Sequence, residues 1–312
     1  MSKKVHGFIP VLVAVSINVF ITIIKFIGFS LSGSGAMFSE AVHSLADTAN
    51  QALLMVGIKR SQKRADKKFQ YGYGQERFFW ALVSACGIFF VGAGVTVYHG
   101  FTALFSHEKP EISGVTFLIL AVSLILEIIS LRTALKELQE KGNGSLWNSI
   151  KKGDPSTLAV FYEDGVAVLG IILAFASILI AEITGNYLWD AWGSILIGFL
   201  LGGIAIMLAN INRVYLIEIS MPEDLRQKVL AILQSSKTVS RIDDLKSSTV
   251  GVDEYRVRCE IKFDATALNF EGILNYSVQD IINLAGKEID CLKKKIQTEI
   301  PEIKYLVIEI AG

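Results

Sequence analysis

Six apolar runs of membrane-spanning length constrain this chain more than any other feature. A helix needs roughly 20 mostly apolar residues to cross a bilayer. Such runs cover residues 9–30, 36–58, 78–104, 115–135, 157–183 and 189–211. The second run is the least hydrophobic, because it holds Glu40, His43, Asp47 and Asn50. Without it, the charges of the connecting loops do not alternate correctly.

Those charges set the orientation. Lys3 and Lys4 precede the first run. Lys59, Arg60, Lys63, Arg64, Lys67, Lys68 and Arg77 lie between the second and third, and Arg132, Lys136, Lys141, Lys151 and Lys152 between the fourth and fifth. The other loops are almost free of base, with only Lys109 among residues 100–114. Basic loops face the cytosol. Six helices with both termini cytosolic satisfy every loop at once, so a multi-pass protein of the cell membrane is expected. The start of the chain reads as a retained first span, not a cleaved signal peptide. No segment rich in Arg and Ser precedes it, so a prokaryotic plasma membrane is the expected location.

Composition agrees. The 312 residues are 52% hydrophobic, with a mean hydropathy of +0.47. Apolar runs dominate the first two thirds, and charge is dense after about Glu218. This predicts a six-helix transmembrane domain over 1–215 and a small cytosolic domain over 216–312. Lys plus Arg and Asp plus Glu stand at 30 each, and no nucleic-acid partner is expected. Cys86, Cys259 and Cys291 are scattered, without a disulfide framework or a Cys-x-x-Cys pair, which fits a reducing cytosol.

The tail reads as α+β. A helix is predicted over 222–236, with Pro at its start and Leu225, Val229, Ile232 and Leu233 on one side. Strands are predicted over 239–249 and 254–263, joined by a turn at Gly251 and Asp253. The second alternates Tyr255, Val257, Cys259 and Ile261 against Arg256, Arg258, Glu260 and Lys262. An amphipathic helix over 275–299 and a strand over 305–310 complete an αββαβ order, that of a ferredoxin-like module lacking one strand.

Charged side chains at mid-bilayer cost at least ~2.5–3.5 kcal/mol, which makes them functional candidates by default. His43 and Asp47 are spaced i, i+4, so they stack on one face of the second helix. Glu40 extends that stripe toward the outer end, as a vestibule residue or a helper. The fifth helix carries Glu163 and Asp164. Asp47 lies about 18 Å along the helix axis from Lys59, and Asp164 about 15 Å from Asp154, so the two carboxylates stand at similar depth. An imidazole with two carboxylates suits Zn²⁺, and Mn²⁺ or Fe²⁺ less selectively. Consecutive helical residues point about 100° apart, so Asp164 is favoured as ligand. Glu163 is then a helper, a proton carrier or a partner for another helix. Glu127 and Asp190 are further buried acids, Asp190 with a capping role at the start of its own helix. Lys25 is expected to pair with one of these acids. Gly87, Gly92 and Gly94 mark a helix-packing face or a dimer contact.

Phe38-Ser-Glu-Ala-Val-His-Ser-Leu-Ala-Asp47 resembles the second-helix metal motif of cation diffusion facilitators. Tyr71-Gly-Tyr-Gly-Gln-Glu-Arg77 resembles that family's segment before the third helix, and Asp190-Ala-Trp-Gly-Ser194 the start of its sixth. Asp154-Pro-Ser-Thr157 followed by Glu163-Asp164 most resembles the branch that holds the animal mitochondrial zinc transporter. The resemblance spans nearly the whole chain. It implies a homodimeric secondary transporter, not an enzyme, that carries a divalent metal out of the cytosol in exchange for protons. Zinc is favoured as cargo, with manganese, iron or cobalt as alternatives. It implies His43, Asp47 and Asp164 as ligands and no bound cofactor. The family's fifth helix often reads His-x-x-x-Asp, whereas Val160 stands at the His position here. Glu163, a water or Asn50 is left to fill that place. The tail has no His, since the four are His6, His43, His99 and His107, so metal sites there are lost or built from carboxylates.

Protons compete with metal for imidazole and carboxylates. The ordinary pKa of His, near ~6.5, suits exchange across physiological pH. A channel would share the buried acids but lacks a repeated filter segment. A membrane metalloenzyme would need a general base beside a reactive water, and His107-Glu108 lacks the second His of a His-Glu-x-x-His motif.

Overall fold

The computed structural model describes residues 8–105, 113–141, 155–264 and 277–311. Lys3, Lys4, His6, His107, Glu108, Lys109, Lys151, Lys152 and Asp154 lie outside them. The chain divides into two compact units, one of Met1–Gly57 with Phe79–Arg213, the other of Ile58–Phe78 with Val214–Gly312.

The first unit is helical. Its helices are α1 (Phe8–Ser32), α2 (Gly35–Ser61), α3 (Glu76–Ala103), α4 (Gly114–Lys141), α5 (Pro155–Thr184) and α6 (Leu188–Leu216). The last turns of α2 and α6 and the first of α3 run into the second unit. Stretches of α3, α4, α5 and α6 are long and apolar enough to cross a membrane. The apolar stretch of α1, Asn18–Ser32, is shorter, and α2 is interrupted by its polar residues. The protein is a helical membrane protein, and its burial is inverted accordingly. Phe20, Ile23, Ile27 and Leu31 form an exposed apolar stripe along α1, while Lys25 on the same helix is fully buried. Lipid is the solvent such a surface suits, and polar groups must then be satisfied inside.

A turn at Gly33 (φ 63°) ends α1. Its N–H donates to Phe29 O at 2.7 Å, a left-handed helix stop that favours glycine. Helix α3 contains a π-turn over Ile88–Ala93. The three glycines predicted to pack there behave unequally. A Cβ at Gly92 would touch Ala46 at 3.7 Å, whereas one at Gly87 would meet nothing within 4 Å, and at Gly94 only the helix's own backbone. The tight approach falls instead at Gly100, where a Cβ would lie 2.9 Å from Ile195 N. Ala36, Met37, Leu120, Ile171, Ala174 and Leu201 knit α2, α4, α5 and α6 into one apolar core.

The second unit is a mixed sheet with two helices, in the order α7 (Glu223–Gln234), β1 (Val239–Gly251), β2 (Glu254–Phe263), α8 (Val278–Glu299), β3 (Ile303–Ile310). β2 is central, antiparallel to β1 and parallel to β3. The inward set of β2 falls as the alternation predicts, with Tyr255, Val257, Cys259 and Ile261 all buried. They pack on Val229 and Leu233 of α7 and Leu292 and Ile296 of α8. Pro222 stands at the N-cap of α7, just outside the helix. Ser277 and Asp280 form a reciprocal capping box that starts α8. The last strand begins two residues earlier than the sequence suggests, because Ile303 pairs with Tyr255.

Candidate metal centre

The polar stripe of α2 follows from helical spacing. Glu40, His43, Asp47 and Gln51 recur every three or four residues and so share one face. His43 is 4% exposed, and neither ring nitrogen has a hydrogen-bond partner. Its Nε2 lies 3.5 Å from Asp47 Oδ2. A buried imidazole with both nitrogens unsatisfied is costly and calls for a reason. A cation arriving between it and a carboxylate supplies one.

Asp47 opens onto a cavity of about 280 Å³ within the helical unit, lined also by Ser44, Gln51, Glu127, Glu163 and Asp164. Thus Asp47 of α2 and Asp164 of α5 share one space. Asp164 Oδ2 accepts a hydrogen bond from Ser130 of α4 at 2.7 Å. Glu163 lines the same cavity, but its Oε1 accepts from Asn50 Nδ2 at 2.8 Å. Asn50 in turn accepts from Ser84 of α3 at 2.7 Å. Of the three roles open to Glu163, the geometry displays the tie to another helix. Asn50 is engaged at both ends of its amide. Among the described residues no three His, Cys, Asp or Glu side chains stand close enough to grip one ion. The donors line a space but are not drawn together.

Glu40 is placed differently from His43 and Asp47. Its Oε2 accepts from Lys25 Nζ at 3.1 Å, and both side chains are fully buried. Its Oε1 has no hydrogen-bond partner and rests against Gly170 of α5, where a Cβ would come within 2.7 Å of it. Glu40 is therefore an ion-paired interior group in this structure, not part of an open vestibule. Asp190 does cap a helix, but not its own. Its carboxylate accepts from Gly35 N at 2.6 Å, Ala36 N at 3.2 Å and Ser34 Oγ at 2.7 Å, all at the start of α2. Its own helix is capped by Asn186, whose Oδ1 accepts from Leu188 N at 3.1 Å. A single sequence carries no signal for such long-range pairings. Ser130 and the cavity position of Glu127 are likewise set by which helices meet, whereas Gln51, one turn beyond Asp47, could have been found from helical spacing.

The chain matches the cation efflux transmembrane domain family over residues 11–217. It is 34% identical to the Xenopus laevis protein named proton-coupled zinc antiporter SLC30A9, mitochondrial, over 96% of this chain and 59% of that protein. The chain thus spans less than two thirds of that relative's length. It is 32% identical to Arabidopsis thaliana metal tolerance protein C4, covering 97% of this chain and 73% of the relative. A more distant relative, the Bacillus subtilis manganese efflux system protein MneP, is 25% identical over 72% of this chain and 73% of its own.

Proposed function

The chain belongs to the cation diffusion facilitator family of cation efflux proteins, and on that premise we propose that it is a proton-coupled carrier for divalent metal, zinc foremost. We read α1–α6 as six spans with both termini on the basic, cytosolic side, followed by a ferredoxin-like domain, and the carrier as a homodimer. Four sufficiently apolar helices, the inverted burial of α1 and the bias of basic loops support the six-span reading.

The observation that carries the function is the cavity shared by Asp47 and Asp164, with His43 against Asp47. These three side chains come from two helices and supply one nitrogen and carboxylate oxygens, a donor set that zinc accepts. Each must be unprotonated to bind metal. Protons arriving from one side therefore expel the ion, and metal arriving from the other expels protons. Rocking of helices that exposes the site alternately to the two faces turns this competition into exchange. The names of the animal relatives, proton-coupled zinc antiporters, agree with this reading.

Purified protein in liposomes with an imposed pH gradient should take up Zn²⁺ saturably, and D47A or D164A should abolish uptake while the protein remains folded. Undiminished uptake in both variants would overturn the assignment of the site. A carrier preferring Mn²⁺ or Fe²⁺ is the second reading. The carboxylate-rich lining of the cavity favours it, since oxygen ligands suit harder ions, and one relative is named for manganese efflux. Competition among Zn²⁺, Mn²⁺ and Fe²⁺ for uptake separates the two.

A further inference from the structure

The ligand set named so far has three members, and zinc sites ordinarily have four. Position 160, four residues before Asp164 on α5, holds valine, which offers no donor. Glu163, and Asn50 three residues beyond Asp47 on α2, are protein groups with a donor atom to offer in its place. In the structure they are occupied with each other, and Asn50 also with Ser84.

The cavity has another acid, from a third helix. Glu127 of α4 lines it together with Asp47 and Asp164. Three observations set Glu127 apart from an incidental acidic neighbour. Ser130, one turn further along α4, already donates to Asp164 Oδ2 at 2.7 Å. Residues i and i+3 share a helix face, so the face of α4 that meets Asp164 is the face that bears Glu127. Second, Glu127 has no hydrogen bond or ion pair among the described residues, whereas Glu163 is held by Asn50 and Asp164 by Ser130. Third, the nine-tenths-buried His43, whose Nε2 lies 3.5 Å from Oδ2 of the cavity-lining Asp47, has both nitrogens unsatisfied, a donor left free beside that carboxylate.

We infer that Glu127 supplies the fourth ligand of the transported ion, so that the donor set is His43, Asp47, Asp164 and Glu127, drawn from α2, α5 and α4. This rests on the reading of His43, Asp47 and Asp164 as the transport site. It replaces a second nitrogen by an oxygen, which makes the site harder than one with two imidazoles. It also makes α4 part of the site, so the α4–α5 pair would follow the ion as one body.

The test uses the full-length protein, purified in detergent and then in liposomes, with Zn²⁺ alone as probe. Binding is measured by calorimetry and uptake by a fluorescent indicator, on wild type, E127Q, E127D and D47N. Monodispersity and helical circular dichroism establish that each variant is folded. E127Q should bind Zn²⁺ at least about tenfold more weakly, the lower bound for losing even an outer partner of a metal ligand. It should lose uptake in parallel. E127D, which keeps the carboxylate, should retain measurable binding and uptake. Wild-type affinity in E127Q overturns the inference, whether or not uptake falls. Equal losses in E127Q and E127D also overturn it, because they mark a packing role. D47N keeps the two conclusions apart. If D47N loses binding while E127Q does not, the transport site stands and only Glu127 is removed from it. If D47N also binds as wild type, the site itself is misplaced.

Discussion

Lys25 and Glu40 illustrate how the interior of the helical unit treats single charges. Both side chains are fully buried and 3.1 Å apart. Neither would be tolerated alone in hydrocarbon, and breaking a buried pair by removing one partner costs roughly 3–5 kcal/mol. K25M should therefore lower thermal stability sharply in size-exclusion melting assays, whereas K25M combined with E40L, which leaves no orphaned charge, should recover most of the loss. A double variant as unstable as K25M would mean that the pair stabilises through something besides mutual neutralisation. Cys259 presents the same logic for a neutral group in the sheet. Burial pushes its thiol up to about 12, so at pH 8 it holds almost no thiolate, the reactive form. Maleimide at that pH should label exposed Cys291 in the native protein and reach Cys259 only after unfolding. Peptide mapping by mass spectrometry reads both. Labelling of native Cys259 at the rate of Cys291 would show that β2 is not held in the core.

Helix α2 bears the His43–Asp47 face, and its start is fixed by a residue 155 positions away. Asp190 satisfies the first backbone N–H groups of α2 and the Ser34 hydroxyl. N-terminal caps contribute about 0.5–2 kcal/mol, and an anion at a helix N-terminus also opposes the helix dipole favourably. D190A should lower the melting temperature and, by letting α2 fray from its first turn, weaken Zn²⁺ uptake without touching the ion. D190N, which keeps acceptors but not charge, should fall between. A D190A protein with unchanged melting behaviour would show that α2 needs no anchor there. What could be read from sequence divides along the same line. The i, i+4 spacing of His43 and Asp47, the inward alternation of β2 and the helical face of α7 are local periodicities, and a chain displays those directly. The pairing of Lys25 with Glu40 and not with another acid, the choice of Asp190 to cap α2, and the engagement of Asn50 by Glu163 and Ser84 are decided by which helices become neighbours. Glycine shows both sides. Gly87, Gly92 and Gly94 stand out in α3 by sequence, but only Gly92 touches another helix and the close approach falls at Gly100, because the partner surface of Ile195 and Ser194 is set elsewhere in the chain.

The division of the whole molecule places Ile58–Phe78, the basic segment between α2 and α3, in the same unit as the sheet. Two kinds of contact hold this segment. Internally, Asp66 accepts from Phe69 N, Lys68 N and Tyr73 Oη at 2.7–2.9 Å. The Phe69 amide, the Tyr73 hydroxyl and the Lys68 amide hold its carboxyl down at about 2. Because the folded value lies below that of a free aspartate, ~3.9, this contribution to order is present above that pH and is lost as pH falls toward 2. Externally, the Tyr71 ring meets Tyr305 edge-on at 4.9 Å and lies under Arg256. Gln75 donates to Thr249 O at 3.4 Å, and a side chain at Gly74 would run into the Val250 carbonyl. The two kinds can be separated at pH 7.5 by limited trypsin digestion at Lys63, Arg64, Lys67 and Lys68. If the sheet contacts dominate, a chain ending at Arg213 should be cut there severalfold faster than the full chain, and D66A in the full chain only slightly faster. If the Asp66 turn dominates, the order reverses. Equal protection in the truncated and intact proteins would mean that the tail does not hold the segment. In that case the polypeptide chain alone would join residues 58–78 to the sheet.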